Sequence, residues 1–440
     1  MRGRGLLIAT VLFAVLAGVI YWSNKQKAKE DLAPPPSTTS PKIVSIPQPD
    51  MTRIELKKTG EDIVLEKSGN DWRIAAPEPY TADQDMVNSV ASGLSSLTAD
   101  NVVEQKSSDL GQFGLGQPSE TVVITGHGGK TLSVFFGDEA PTGGQVYAKT
   151  SGDNRIFTVA SFTRSSFDKS VNDLRDKRLL TVDGGSLARV ELDAKNQHME
   201  FGKNSEGNWQ ILKPAPYRAD ALQVEELIRK LRDAKMDLST SEDDRKKAVA
   251  AFPSATLVAT AKLTDSAATQ QLELRKTKSG DIYARSSAVP GVWKASTELS
   301  DGMQKSIDDF RNKKLFDFGF DDPGKIEIHD GAKFFGFVRS GEKWFANGKE
   351  LDSMSIQSFI DKLRELSSTK FVDSGFTAPS MDITVISKDN KRTEKVMCAK
   401  QGSDYIANRV NEPTLYQVDA GAVDDLERAA AAVKPLAAKK

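Results

Sequence analysis

One short string of this sequence resembles the end of a phosphate-binding loop, His127-Gly128-Gly129-Lys130-Thr131. The full loop pattern requires a glycine five residues before Gly129, and this chain has Ile124 at that position. The string also lies between two patterns of alternating apolar residues, whereas a phosphate loop joins a strand to a helix. We therefore predict a hairpin turn here, without a bound phosphate.

The single cysteine and the three histidines form no recognisable catalytic or metal-binding set. Cys398 has no histidine near it in the sequence, and His127, His198 and His329 lack a second ligand at metal spacing. The sequence also lacks a Gly-x-Ser-x-Gly nucleophile elbow. Paired carboxylates stay open because their pairing is spatial, so a hydrolase with a site between domains is our third hypothesis. The main expectation is a chain that is not an enzyme, with no catalytic residue, metal or cofactor, in which Cys398 packs inside a strand.

A basic feature recurs along the chain and is the one candidate site for a partner. Such a group could bind an anionic polymer or the acidic face of a protein. It could equally be a solvated helix end, where cations favour the negative pole of the helix dipole. The whole chain has 60 Lys+Arg against 61 Asp+Glu, a net charge of −1, so we expect no nucleic-acid partner. The candidate partner-binding residues are Arg175, Lys177 and Arg178, matched by Arg311, Lys313 and Lys314.

Three tryptophans mark an internal repeat. Trp72, Trp209 and Trp344 each close a short strand pattern, and they are spaced 137 and 135 residues apart. Nearly the same string, Pro-x-Pro-Tyr-x-Ala-Asp, follows the first two at residues 77–83 and 214–220; we call it the entry string. The tryptophans could form a stacking surface for sugars. We expect them instead to fill the gap between a hairpin and a helix, because aromatic side chains dominate such cores.

An aspartate in each repeat is predicted to start an amphipathic helix. Asp83, Asp220 and Asp352 are each followed by apolar residues 4, 7, 8 and 11 positions later, which share one helical face. An aspartate at this place predicts an N-cap that accepts hydrogen bonds from the first turn, in preference to a catalytic carboxylate. The predicted faces are Val87, Val90, Ala91 and Leu94; Val224, Leu227, Ile228 and Leu231; and Ile356, Phe359, Ile360 and Leu363.

Short alternating strands before each tryptophan and after each helix complete the repeat. The predicted order in each unit is hairpin, strand, helix, antiparallel strands and helix, which is an α+β domain with a helix over one sheet face. The first two units end in what we call the closing string, residues 174–180 and 310–316, which the third unit lacks. We predict three repeated domains, at residues 51–182, 183–322 and, with a divergent sequence, 323–430. A tail at residues 431–440 follows them.

The N-terminus has the pattern of a membrane anchor. Residues 6–22 are an uncharged run of 17, about 26 Å long as a helix, which ends in Tyr21 and Trp22. Because bulky residues end this run, we predict an uncleaved transmembrane helix and not a signal peptide. Residues 1–5 are then a cytoplasmic tail and residues 23–50 a Pro/Ser/Thr-rich linker. We expect a single-pass protein of the bacterial inner (cytoplasmic) membrane with the bulk of the chain extracytoplasmic.

The tryptophan strand, the entry string, Phe113-Gly114-Leu115 with Pro118, and the closing string together resemble the domain-of-unknown-function family 4340. The resemblance covers most of residues 51–320 as two copies. The third copy, about residues 325–430, departs from it because both strings are missing. The resemblance implies an N-terminal membrane anchor and an accessory role near ABC-type export systems of the gliding-motility kind, and it implies no catalytic residue.

Two hypotheses from different functional classes follow. The first is an extracytoplasmic scaffold or accessory subunit of an ABC-type envelope complex, with the bilayer and envelope proteins as partners. The second is a multivalent module that binds an envelope polysaccharide or another cell-wall polymer, since three aromatic-bearing domains would gain from multivalency.

Overall fold

The computed structural model describes residues 40–319 and 322–437. The chain divides into two compact units: the first ends at Lys177 and holds one domain, and the second starts at Arg178 and holds two. The predicted anchor at residues 6–22 and the predicted linker up to residue 39 lie outside the described residues. Across the two described ranges, every helix is too short or too polar to span a bilayer.

The first domain is a nine-stranded antiparallel sheet with helix α1 on one face. Its strand order is β4-β3-β2-β1-β6-β7-β8-β9-β5. Strand β5 is out of sequence order because the chain crosses after α1 and pairs with β9 at the far edge. The elements are β1 (Met51–Lys58), β2 (Glu61–Ser68), β3 (Asp71–Ala76), β4 (Tyr80–Thr81), α1 (Gln84–Ser95), β5 (Asn101–Glu104), β6 (Glu120–Gly126), β7 (Thr131–Glu139), β8 (Gln145–Thr150), β9 (Ile156–Ala160), α2 (Ser161–Ser165) and α3 (Val171–Leu174).

The second domain repeats this order with one change. Its eight described strands run β13-β12-β11-β10-β14-β15-β16-β17, and helix α5 follows α4 where the first domain has its edge strand β5. The elements are β10 (Arg189–Ala194), β11 (Gln197–Lys203), β12 (Trp209–Lys213), β13 (Tyr217–Arg218), α4 (Ala221–Asp233), α5 (Glu242–Ala251), β14 (Thr256–Thr264), β15 (Thr269–Lys276), β16 (Ile282–Ser286), β17 (Trp293–Lys294), α6 (Thr297–Met303) and α7 (Ile307–Phe310).

The third domain has the same strand order as the first, β21-β20-β19-β18-β23-β24-β25-β26-β22. The predicted third copy is therefore a true repeat of the fold, although its sequence lacks the entry and closing strings. The elements are β18 (Pro323–Asp330), β19 (Lys333–Ser340), β20 (Lys343–Ala346), β21 (Lys349–Glu350), α8 (Ser353–Glu365), β22 (Lys370–Val372), β23 (Met381–Ser387), β24 (Thr393–Gln401), β25 (Asp404–Arg409), β26 (Leu415–Asp419) and α9 (Ala420–Ala431).

The three long helices confirm the predicted caps and faces. The side chain of Asp83 accepts a hydrogen bond from the backbone of Met86, and that of Asp352 accepts one from Ser355. Asp220 caps α4 in the same way. These bonds satisfy backbone N–H groups that a first helical turn leaves without partners. Every apolar position predicted for α1, α4 and α8 is buried.

The three tryptophans lie in the cores, as predicted. Trp72, Trp209 and Trp344 are 2%, 7% and 8% exposed, and each packs in the hydrophobic cluster of its own domain. They are therefore part of the hairpin-to-helix packing and present no open stacking face. The antiparallel α+β architecture expected from the alternating strands is confirmed in all three domains.

Each domain begins earlier than the predicted boundaries at 51, 183 and 323. Ile43 donates its N–H to the carbonyl of Leu97 at the end of α1, which places residues 41–46 of the predicted linker in the first domain. Leu179 makes the same bond to Ala234, and Leu315 makes it to Leu366. The side chains that follow enter the next core, so the second half of each closing string is the first element of the domain after it. The buried residues are Ile43, Val44 and Ile46; Leu179, Leu180 and Val182; and Leu315, Phe316 and Phe318.

The predicted tail at residues 431–440 contributes to the third domain as far as it is described. Asp352 donates its N–H to the carbonyl of Lys434, and Leu436 donates to Glu350. Asp83 bonds Leu174 in the same position of the first domain. The third domain thus has a closing segment of the same backbone geometry, made from residues that share none of the closing string's side chains.

Two local predictions are also confirmed. The string His127–Gly129 is a short turn between β6 and β7, where Gly128 and Gly129 both have positive φ angles that favour glycine. Cys398 is fully buried in β24, and burial raises the pKa of its thiol to about 12. A thiol in that state is not nucleophilic at neutral pH.

Candidate functional site

The entry and closing strings, which are far apart in sequence, meet in space. The guanidinium of Arg175 lies 4.1 Å from the ring centre of Tyr80, and that of Arg311 lies 4.1 Å from Tyr217. This is the geometry of a cation–π contact. The backbone of Asp220 donates to Phe310 at 2.7 Å and fixes the same pairing in the second domain. The two motifs that recur in sequence are therefore one structural feature.

The arginines of the closing strings follow short helices but do not extend them as solvated helix ends. Helix α3 ends at Leu174 and α7 at Phe310, and the next residue is extended in both cases. Because the chain leaves the helix there, Arg175 and Arg311 turn back over the tyrosine rings. The cationic side chains are held by packing on aromatic faces, and the helix dipole is not needed to explain them.

Arg311 also joins the second domain to the third. Besides contacting Tyr217, its guanidinium lies 3.6 Å from the ring centre of Phe371 of β22. It donates a hydrogen bond to Thr414 Oγ1 at 3.1 Å and pairs with Asp308 at 3.0 Å. Its side chain is only 12% exposed. Arg311 is thus committed to contacts within this chain.

A second arginine, Arg218 of β13, reaches across the same boundary. It donates to the hydroxyl of Tyr416 at 3.1 Å and to Glu412 at 3.3 Å, both in the third domain. It also pairs with Asp317 and donates to the carbonyl of Lys314. Burial lowers the pKa of Arg218, but the charges of Asp317 and its other acidic neighbours outweigh burial and raise it above its ordinary value. We refer to the contacts of Arg218 and Arg311 with the third domain as the joint.

Arg409 of β25 supports the joint from the third domain. It pairs with Glu412 at 2.8 Å and with Glu394 at 3.2 Å, and it donates to the carbonyl of Leu315. Glu394, which is 6% exposed, also accepts the backbone N–H of Asp317 at 2.8 Å. Glu412 pairs with both Arg218 and Arg409, and Glu394 accepts two hydrogen bonds through Oε2 while its Oε1 accepts none.

The other candidate basic residues have a different environment. Lys313, Lys314 and Arg178 are exposed, and Lys177 is half-buried. Arg178 lines a groove of about 390 Å³ in the second domain, beside the edge of the buried Trp209. The remaining charged residues of this groove are Lys203, Arg229, Arg232, Glu225 and Asp233. The structure therefore brings Arg178 into a basic groove and does not gather all six predicted residues in one site.

The sequence alone did not identify Arg218 or its acceptors. Arg218 occupies the variable position of the entry string, where the first domain has Thr81, so the repeat pattern hides it. Tyr416 and Glu412 lie in the divergent third copy, where no repeated motif marks them. The one available signal is this departure from the repeat, an arginine where the matched string has threonine.

Within residues 40–319 and 322–437, no group of three histidine, cysteine or acidic side chains is arranged to hold a metal ion.

A family model described as Domain of unknown function (DUF4340) matches residues 72–211 and, as a second tandem copy, residues 209–383. The first match runs from the tryptophan strand β3 to the tryptophan strand β12, out of phase with the structural domains. No curated protein and no solved structure matches the chain.

Proposed function

We propose that this chain, which belongs to the DUF4340 domain-of-unknown-function family, is a membrane-anchored extracytoplasmic scaffold or accessory subunit of an ABC-type envelope export complex. In this proposal residues 6–22 span the bacterial inner membrane once. The three domains then stand outside the cytoplasm and contact protein partners. The chain performs no chemistry of its own, and it binds neither a cofactor nor nucleic acid.

The joint is the observation that carries this proposal. A scaffold must hold its domains at a fixed spacing, and Arg311, which contacts both Tyr217 and Phe371, does this for two of them. Arg218 adds hydrogen bonds to Tyr416 and Glu412. A chain that only tethered independent domains would need none of these contacts. The third domain has Pro435 and Lys349 where the first two have the arginine and the tyrosine.

Crosslinking in native membranes tests the proposal. The full chain carries an affinity tag after Lys440 and is purified after mild crosslinking, and mass spectrometry identifies its partners. We expect an ABC permease or its ATPase to be recovered. Recovery of the protein alone, or of envelope polymer only, would overturn the accessory-subunit assignment.

A joint variant makes this experiment sharper. Arg218→Ala combined with Arg311→Ala removes the side-chain contacts of both arginines with the third domain. The matched control is Arg428→Ala, because Arg428 is 74% exposed on α9 and its contacts with Asp425 and the carbonyl of Asp424 stay within that helix. We expect the joint variant to lose the crosslinked partners and the control to retain them. Equal recovery from both variants would show that partner binding does not depend on the joint.

The predicted topology has its own test. Alkaline phosphatase fused after Lys440 is active only outside the cytoplasm, so we expect an active fusion. An inactive fusion would place the domains inside and exclude an extracytoplasmic role.

A specific observation also keeps polymer binding as a second candidate. The groove beside Trp209 presents Arg178, Lys203 and Arg232, and its four basic residues outnumber its two acidic ones. This composition suits an anionic envelope polymer. The buried tryptophans do not support sugar stacking, so this candidate depends on charge. Pull-down with anionic and neutral cell-wall polymers should retain the chain on the anionic polymer only. The binding should be lost in Lys203→Ala/Arg232→Ala; no retention on either polymer would remove this candidate.

A further inference from the structure

The first domain contains a buried carboxylate that its fold does not satisfy. Glu120, the first residue of β6, is 0% exposed, and neither of its carboxylate oxygens has a hydrogen-bond partner. The nearest cation is Arg164 of α2, whose Nε lies 3.4 Å from Glu120 Oε2 and is itself without a hydrogen bond. Burying a charge under these conditions is unfavourable, because water is removed and little replaces it.

The other two domains show that this fold does not require a charge there. Glu120 is opposite Lys58, the last residue of β1. At the same register the second domain has Ala259 and the third has Met381, both buried in the core. Arg164 lies four residues after Ala160, the N-cap residue of α2. The residues four positions after the N-caps of α6 and α9 are Ser300 and Val423. The pair of Glu120 and Arg164 is therefore specific to the first domain and replaces core residues.

Other charged groups surround the pair. From β1, Lys58 donates to Asp168 at 2.8 Å and also lies 3.9 Å from Glu61 of β2. Asp168 follows α2 and adds a negative charge near Glu120. On the β7 side, Glu120 is paired in register with Phe136, which is apolar and fully buried. These groups come from β1, β2, β7 and the segment after α2, and none of them donates a hydrogen bond to Glu120.

We propose that Glu120 is a proton-binding residue that couples pH to the packing of residues 161–174 on the first sheet. When Glu120 is protonated, the buried side chain is neutral, and α2 can stay against the sheet with Arg164 beside Glu120 and Phe167 in the core. When Glu120 is ionised, its carboxylate needs hydrogen bonds that this site does not contain. Water can supply them only if the segment that carries Arg164 moves away from the sheet.

The carboxyl group of Glu120 ionises near neutral pH. Burial raises the pKa of Glu120 to about 7, against the opposing charge of Arg164. The pKa of the unfolded carboxyl is 4.5, so the folded state binds the proton more tightly than the unfolded state. Packing of the segment is therefore strongest at low pH and weakens as pH rises through about 7. An envelope protein would experience this range, although the inference does not depend on location.

Hydrogen exchange on the purified full chain tests whether the packing of residues 161–174 depends on pH. Peptides covering residues 161–174 are followed by mass spectrometry at several values between about pH 5 and about pH 9, with intrinsic exchange rates corrected. We expect protection of these peptides to fall by about tenfold or more over this range. We expect Glu120→Gln, which is neutral at every pH and has nearly the same shape, to remove that dependence.

Two further variants keep the result decisive. Arg164→Met removes the countercharge and raises the folded pKa of Glu120 further, so the loss of protection should continue to a higher pH than in the natural chain. Glu200→Gln is the matched control, because Glu200 is buried at 4% exposure but pairs with Lys213 at 2.9 Å and Arg189 at 2.8 Å; it should leave residues 161–174 unchanged. The proposal would be overturned if protection of residues 161–174 in the natural chain did not change with pH, or if it changed equally in Glu120→Gln.

Discussion

Two buried glutamates of this chain meet an arginine under very different conditions. At the joint, Glu394 accepts the N–H of Asp317 at 2.8 Å and pairs with Arg409 at 3.2 Å. In the first domain, Glu120 is more deeply buried, and neither of its oxygens accepts a hydrogen bond. Glu394 thus accepts two hydrogen bonds through Oε2 and none through Oε1, whereas Glu120 accepts none through either oxygen. The difference lies in the number of backbone and side-chain donors that surround the carboxylate.

This contrast suggests different roles for the two regions. A network with several hydrogen bonds resists motion, since each group that moves must break several bonds, and this suits a joint that fixes two domains. An unsatisfied buried charge is a place where the domain can change with the state of the group. The experiments below alter one side of the comparison at a time, from the largest expected effect to the smallest.

Removing the arginine that organises the joint should have the largest effect. Arg409→Met leaves Glu394, which is 6% exposed, without its main cation, while Met keeps the apolar part of the side chain. We expect a loss of about 3 to 5 kcal/mol in the unfolding free energy of the third domain, as for other broken buried ion pairs. Urea unfolding followed by hydrogen exchange of residues 381–419 measures it. A loss below about 1 kcal/mol would mean that the network contributes no more than surface pairs do.

The two domains that hold Glu120 and Glu200 should respond oppositely to pH. The pKa of Glu120 is raised from 4.5 to about 7 by burial, so the stability of the first domain should fall by about 3 kcal/mol as pH rises from about 4.5 to above 7. The hydrogen bond from Lys213, together with nearby positive charge, lowers the pKa of Glu200. Its contribution is present above 4.5 and is lost as pH falls through its lower, folded pKa.

Domain-resolved urea unfolding at pH values from about 3 to about 9 would show this contrast. Residues 120–174 report on the first domain and residues 189–213 on the second. The assignment of opposite pKa shifts would be contradicted if the stability of the first domain did not fall between about pH 5 and about pH 7, or if that of the second did not fall as pH drops below about 4.5.

Replacing Glu120 and Arg164 by the residues at the matching positions of the third domain should remove the incomplete ion pair. The double change Glu120→Met with Arg164→Val installs the residues found at Met381 and Val423. Replacing a poorly satisfied buried pair by apolar residues is often stabilising, and we expect a gain of about 2 kcal/mol near pH 8. Thermal unfolding of the full chain measures it. Arg164→Val alone is the control and should destabilise, since it leaves Glu120 without its cation.

Much of the fold was predictable because the repeated signals are local. The 3.6-residue spacing after Asp83, Asp220 and Asp352 is determined within one helix, so the buried faces and the caps could be assigned from sequence. The first residues of each domain could not be assigned from sequence. Ile43 lies in a Pro/Ser/Thr-rich stretch, and its partner Leu97 is far away along the chain, so only the folded backbone shows that they pair.

The candidate site was only partly predictable for the same reason. The recurrence of Arg175 and Arg311 drew attention to the closing strings, but the tyrosines that hold them belong to the entry strings. A repeat search finds what the domains share, whereas the joint and Glu120 depend on what they do not share. Arg218 stands where the first domain has Thr81, and Glu120 stands where the others have Ala259 and Met381.

The smallest predicted effect concerns the shape of a single cation at the joint. Arg311→Lys keeps the positive charge but removes the planar group that contacts the rings of Tyr217 and Phe371 and bonds Thr414. A lysine ammonium is compact and strongly hydrated, so it replaces neither stacking contact well. We expect a loss of about 1 kcal/mol in stability.

The more informative readout of Arg311→Lys is the exchange of β22, since Phe371 loses the cation that covers it. Protection of residues 370–372 should fall while that of residues 189–201, in the second sheet, stays unchanged. Lys313→Ala is the matched control, because Lys313 is exposed two residues away in the same string. If the two variants exchange alike at residues 370–372, the planar guanidinium is not what fixes the joint, and the hydrogen bonds of Arg218 must do so without it.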